Sequence, residues 1–110
     1  MIIQINDSFV DSSKIFSIGE TEHFFDKFGS EGYEFKIQSL NGAFLFIKLS
    51  TLDSKLINWE RFDKDKRKDL ALNLLDNLRR EIVFYWRNFN NVDNMTCKVE
   101  FDFNSLIEKK

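Results

Sequence analysis

The sequence predicts an α+β domain spanning residues 1–110. Its antiparallel sheet has four strands, or five if both N-terminal candidates enter it. Two helices pack on one face, in the split order β-α-β-β-α-β of a ferredoxin-like fold. Three observations lead there. Residues 63–90 place Ala71, Leu74, Leu75, Leu78, Ile82, Tyr85, Trp86 and Phe89 at helical spacing. These fall within about a third of the helix circumference. Residues 33–50 hold an alternating run, an Asn-Gly pair and a second apolar run. Residues 95–103 alternate again, with Cys97, Val99, Phe101 and Phe103 on one side.

Along the chain, residues 1–5 and 14–18 are both candidates for the first strand. Residues 6–13 read as a polar loop, with Phe9 and Val10 turned inward. Residues 19–28 read as a short helix. Thr21 suits its cap, Glu20 and Glu22 suit the positive end of its dipole, and Phe24, Phe25 and Phe28 supply its apolar face. Gly29 suits the left-handed C-cap of that helix.

Tyr33, Phe35 and Ile37 then alternate with Glu34, Lys36 and Gln38, the period of a strand with one buried face. Asn41-Gly42 suits a two-residue turn, which pairs Leu40 with Ala43 and Ile37 with Phe46. The returning strand is apolar on both faces. That contrast predicts that the first hairpin strand lies at an edge and the second inside the sheet. Residues 51–62 link to the long helix, with Asp53 or Ser54 able to cap a short turn carrying Leu56, Ile57 and Trp59. Asp63 or Asp65 suits the cap of the long helix, and Asn90 and Asn91 suit its end. The last strand is expected at an edge, its charges discouraging sheet-to-sheet pairing.

Composition narrows the function classes. The chain has 110 residues, 43% of them apolar and thirteen of them Phe. That is enough for a core without staples. A single cysteine, Cys97, excludes an internal disulfide and favours a reducing compartment, so a cytoplasmic location is expected. Neither a membrane span nor a signal peptide is evident. The net charge of −2 is uneven: residues 1–60 carry nine acids and five bases, residues 61–110 nine acids and eleven bases.

No arrangement of residues points to catalysis. His23 is the only histidine, and its acidic neighbours Glu20, Glu22 and Asp26 come from one segment. A metal site needs three or four ligands converging from several elements, so no metal or other cofactor is expected. Cys97 falls on the inward face of the last strand, where a small buried thiol is the ordinary reading. There is neither a G-x-S-x-G turn nor a glycine-rich phosphate loop.

A basic run, Arg61, Lys64, Lys66, Arg67 and Lys68, is interrupted by Asp63 and Asp65. Arg79, Arg80 and Arg87 extend positive charge along the helix and form the candidate face for nucleic acid. The acidic pI and the interleaved aspartates weigh against nucleic acid. Leu70, Leu72, Val83 and Phe84 fall off the main stripe. So do Leu45 and Ile47, if the helices cover the other face of the hairpin. Such surplus apolar groups fit a wider core, a homodimer interface or a partner-binding surface.

In size, mild acidity, lack of catalytic groups and a composition rich in Phe, Ile, Lys and Asn, the chain resembles bacterial immunity proteins, which neutralise a cognate toxin. That resemblance implies a non-catalytic protein that blocks a toxin's active site. Glu20, Glu22, Asp26, Glu31 and Glu34 are the expected partner-binding residues, docking on a basic cleft. An inhibitor of a host nuclease or defence complex, encoded by a phage or mobile element, is the second expectation. A nucleic-acid-binding domain is the third.

Overall fold

A computed structural model describes residues 1–25, 27, 31–51, 64–89 and 95–101. In chain order these form β1 (Ile2–Ile5), β2 (Ser8–Asp11), a 3-10 turn (Ser12–Lys14), β3 (Ile15–Ile18), β4 (Glu22–Phe25), β5 (Glu31–Ser39), β6 (Phe44–Ser50), α1 (Lys64–Phe89) and β7 (Thr96–Val99). The fold is α+β and dominated by antiparallel pairing, with one helix among the described residues.

The strands make two sheets. In the smaller, β1 lies between β2 and β7, antiparallel to the first and parallel to the second. Ile5 and Ser8 are paired, so Asn6 and Asp7 make the tight turn between β1 and β2. Asn6 takes φ +52°, a conformation that its short polar side chain accommodates. Asp11 then caps the 3-10 turn by accepting a hydrogen bond from the Ser13 amide at 3.0 Å, and the chain passes into the second sheet.

The larger sheet is built on β5. One side of β5 pairs along its length with β6. The other side is shared: β4 pairs with residues 31–34 and β3 with residues 37–39. The ladder continues between β3 and β4, where the Gly19 amide donates to the Lys36 carbonyl at 2.8 Å. In effect β3 and β4 are one long row with an irregular joint at residues 19–21.

Strand alternation decides what α1 covers. Phe35 and Ile37 on β5 face the same way as Ile47 and Leu49 on β6, and all four are buried. Helix residues Ala71, Leu74, Leu75, Leu78 and Ile82 pack against them, and the same cluster takes in Ile3, Ile5, Ile15 and Val99. One helix therefore seals both sheets into one core. Tyr85 and Trp86, at the end of the stripe, are half-buried against it.

Among the described residues the expected second helix and the ferredoxin-like order are not found. The described part of residues 19–28 contains β4, with Phe28 and Gly29 outside the described residues. Phe24 and Phe25 fit a helical spacing, but four residues are too few to separate the two periods. Antiparallel pairing with β5 places them on opposite faces instead. Residues 6–13 also contain a strand, β2; on it Val10 packs against the core, whereas Phe9 is exposed. Both N-terminal candidates are strands, but in different sheets. The capping turn expected at residues 53–59 and the caps Asp63, Asn90 and Asn91 lie outside the described residues.

The hairpin register is one residue away from expectation. Ile37 lies opposite Leu45, not Phe46. The loop has three residues: the Gly42 amide donates to the Ser39 carbonyl at 3.0 Å, and the Ser39 amide to the Ala43 carbonyl at 2.9 Å. Gly42 takes φ +88°, the left-handed residue that follows a type I turn in such loops. Asn41 contributes its side chain instead, its Oδ1 accepting from the Ala43 amide at 3.0 Å. Gly42→Val is expected to cost about 1–2 kcal/mol, the penalty of that conformation for a side chain with a Cβ. A lower urea midpoint with unchanged slope would be the readout.

The slip of one residue reverses the faces of β6. Leu45 and Ile47 turn toward the helix, while Phe44 and Phe46 turn away from it, about half exposed at 49% and 52%. The edge assignment is reversed as well: among the described residues β5 is central and β6 is an edge. The last strand, β7, does lie at an edge, that of the smaller sheet.

Candidate functional site

The larger sheet has an inner and an outer face, and the four described members of the five acids expected to bind a partner divide between them. His23 and Glu31 lie on the inner face, opposite Tyr33 and Phe25 in the β4–β5 ladder. Glu31 is only 3% exposed. Its carboxylate lies 2.9 Å from His23 Nε2 and 3.6 Å from Lys68 Nζ. Its carbonyl accepts from the Thr51 amide and hydroxyl at 2.9 and 3.0 Å. The imidazole at hydrogen-bond distance and the Lys68 ammonium offset much of the cost of burying this carboxylate. The cluster ties β4, β5 and the N-terminal turns of α1 together, with the Glu31 carboxylate buried at its centre.

The same alternation puts Glu22 on the outer face, away from His23. The acidic grouping expected around the histidine is thus split by the pleat. Glu22 lies directly opposite Glu34, and Glu34 opposite Lys48. Glu20, Glu22 and Glu34 meet around a shallow notch that also includes Lys36 and Phe46. Asp26 lies outside the described residues. Three of the five acids therefore come together. No group of three or more His, Cys, Asp or Glu side chains suited to a metal ion occurs among the described residues.

Lys48 links the charges to the aromatics. Its Nζ lies 3.5 Å from Glu34 and sits over the rings of Phe24 and Phe46, at 5.4 and 5.8 Å from their centroids. Lys36 Nζ lies 5.2 Å over the Phe44 ring. The ammonium groups thereby cover part of the aromatic surface that the helix leaves open. Two like charges directly across a strand pair, as at Glu22 and Glu34, destabilise an isolated sheet.

The basic residues of the helix divide too. Arg79 donates from Nε to the Gly19 carbonyl at 2.7 Å, and Thr21 donates to Asp76 at 2.6 Å. Together these bonds fasten the joint between β3 and β4 to the helix. Arg80 and Arg87 are exposed. Of the basic run, Lys68 is committed to Glu31, and Lys66 and Arg67 also have partners. The three-arginine face is reduced to two exposed side chains.

No protein-family model matches the chain, and searches of curated proteins and of solved structures return no match. Function therefore has to be argued from the site itself.

Cys97 is half-buried on β7. Burial raises its pKa above the ordinary thiol value, and the nearby Glu81 carboxylate raises it further. A thiol held protonated is a weak nucleophile. Cys97 is expected to react with iodoacetamide at neutral pH more slowly than an exposed thiol, the rate rising as the pH climbs past the ordinary thiol pKa. Faster reaction than a free thiol would mean an activated site.

Sequence reasoning passed over Phe44, Phe46, Lys36 and Lys48 as parts of a site, taking Leu45 and Ile47 as the surplus apolar pair. The signal was present. Lys36 and Lys48 share the even-numbered face with Phe44 and Phe46 once the loop is counted as three residues.

Proposed function

We propose that this chain is a non-catalytic inhibitor of the immunity-protein kind, which neutralises a toxin by laying its outer sheet face over the active site. One observation carries the proposal. Exposed Phe46 lies beside Glu20, Glu22 and Glu34 on the face that α1 leaves uncovered, with exposed Phe44 next to it at 6.3 Å between ring centroids. Aromatic surface supplies contact area at low entropic cost, and an acidic rim steers a basic partner into register. An inhibitor of a host defence complex from a phage or mobile element would use the same surface, and the identity of the partner separates the two.

Nucleic acid is the weaker reading. Affinity for phosphate scales with uncompensated cations, and on this face Lys48 is paired with Glu34 while three acids face two lysines.

The test is the triple variant Glu20→Lys, Glu22→Lys, Glu34→Lys, assayed by co-expression with a growth-inhibiting toxin whose gene adjoins this one and by the association rate with that toxin; the lack of any such neighbouring toxin would count against the proposal. The expected result is loss of growth rescue and an association rate lowered by about tenfold or more, with the far-UV spectrum unchanged. Undiminished rescue would remove this face from the mechanism. Tight, salt-dependent binding of a single-stranded oligonucleotide would favour the nucleic-acid reading instead.

A further inference from the structure

We infer that the free edge of β6 is a self-association surface, on which a second copy of this chain pairs antiparallel through Phe44, Phe46 and Lys48. The inference does not depend on the proposed inhibitor function.

The direction of the β6 backbone follows from its pairing with β5. The Ser39 amide donates to Ala43, and the Thr51 amide donates to Glu31. Hydrogen-bonded pairs alternate along an antiparallel ladder. Residues 43, 45, 47, 49 and 51 therefore turn their amides and carbonyls toward β5, and residues 44, 46 and 48 turn theirs away. Among the described residues, β6 pairs with β5 alone.

Edges of this kind are usually blunted by proline, a bulge, an inward-pointing charge or an edge lysine, and of these β6 carries only the single lysine Lys48. The chain has no proline, and the register of β6 runs without a shift from Phe44 to Ser50. Its inward-facing residues are Leu45, Ile47 and Leu49.

The occupant follows from the symmetry of the strand. Ser50 is engaged elsewhere, which leaves Phe46 at the centre of the three outward-directed residues. A two-fold axis at Phe46 puts Phe46 opposite its own copy and Phe44 opposite Lys48 at both ends. On the inner face it puts Leu45 opposite Ile47. No like charges face each other, and each lysine meets a phenylalanine ring, the contact Lys48 already makes with Phe46 within one chain. This register forms about six backbone hydrogen bonds, two per opposed pair. It joins the two larger sheets into one and doubles the outer aromatic face, as an isologous contact does. A two-fold axis at Leu45 would run Lys48 into the turn at Gly42, and one at Ile47 would need Ser50.

Sedimentation velocity over a concentration series tests it, with two variants. Phe46→Pro removes an amide that points off the sheet, which an edge strand tolerates. Its dimer dissociation constant is expected to rise by at least about tenfold, from the loss of one bond in each direction across the axis. Phe46→Cys in a Cys97→Ser background is expected to cross-link with itself far faster than Phe16→Cys, because directly opposed hydrogen-bonded residues lie within disulfide reach. The cross-linking result decides if the proline variant fails to fold. A wild-type chain that stays monomeric at high micromolar concentration, with no preferential cross-linking at Phe46, overturns the inference. So does a dimer indifferent to Phe46→Pro, or protection of β6 amides that arises only on adding a different protein. Charge reversal at Glu20 and Glu22 alone, neither of which is paired with Lys48, leaves this dimer intact, so the two proposals fail separately.

Discussion

Leu75→Ala is expected to lower the free energy of unfolding by about 3 kcal/mol, within the range for emptying a fully buried leucine site. Leu75 is completely buried on α1, in the cluster that takes in Phe35 and Leu49 from the larger sheet and Ile3 and Val99 from the smaller. Removing its side chain opens a void where the elements meet, and a fixed helix leaves neither sheet free to collapse into it. The loss is a large share of the stability of a domain this size. Asn73→Ala, two positions away on the exposed side, is expected to stay within about 0.5 kcal/mol of the parent. Urea unfolding of the two variants measures the contrast directly. Equal costs would mean that the apolar stripe of α1 is not the contact that holds the sheets.

Gly32→Ala is expected to be about as damaging, for the opposite reason. A Cβ on Gly32 would lie 2.2 Å from the Leu49 carbonyl oxygen and 2.8 Å from the Ser50 Cα. Both are backbone atoms of the neighbouring strand, so no side-chain rotation relieves the collision. Strands β5 and β6 would have to part at the end where Glu31 and Thr51 are bonded. Overpacking of this kind costs about 3 kcal/mol at its upper end, where this rigid contact places it. Gly19→Ala is the control, since a Cβ there meets nothing closer than the Lys36 side chain at 3.4 Å. A Gly32→Ala protein as stable as Gly19→Ala would contradict the close approach of the two strands.

What could be read ahead of the structure depended on the length of each pattern. The helix expected over residues 63–90 is present at Lys64–Phe89, because a pattern sustained over so many turns outweighs any single misplaced residue. The short runs at residues 8–11 and 22–25 carried too little periodicity, and their strand character comes from their partners β1 and β5. Asn41-Gly42 marked the turn but not its length. Asn41 engages through its side chain, so only Gly42 takes the left-handed conformation and the loop gains a residue.

The misplaced edge has a different cause. The alternation in β5 reports that one of its faces is open, not that one of its sides is unpaired; β5 is open on a face and paired on both sides. For the same reason, counting acids along the chain grouped Glu31 with Glu20, Glu22 and Glu34. The pleat separates them and buries Glu31 against His23 and Lys68. Which acids share an exposed face was therefore legible only once strand and face were known.

All of this rests on α1 holding two sheets as one cooperative body, which keeps the outer face of the larger sheet rigid and open. Native-state hydrogen exchange measures that most directly. Slowly exchanging amides of β1, β5 and the middle of α1 are predicted to share one opening free energy, equal to that of global unfolding, and to fall together in Leu75→Ala. A separate, lower opening energy for β1, or β1 amides unmoved by Leu75→Ala, would show that the smaller sheet is not held by the helix and would contradict the account.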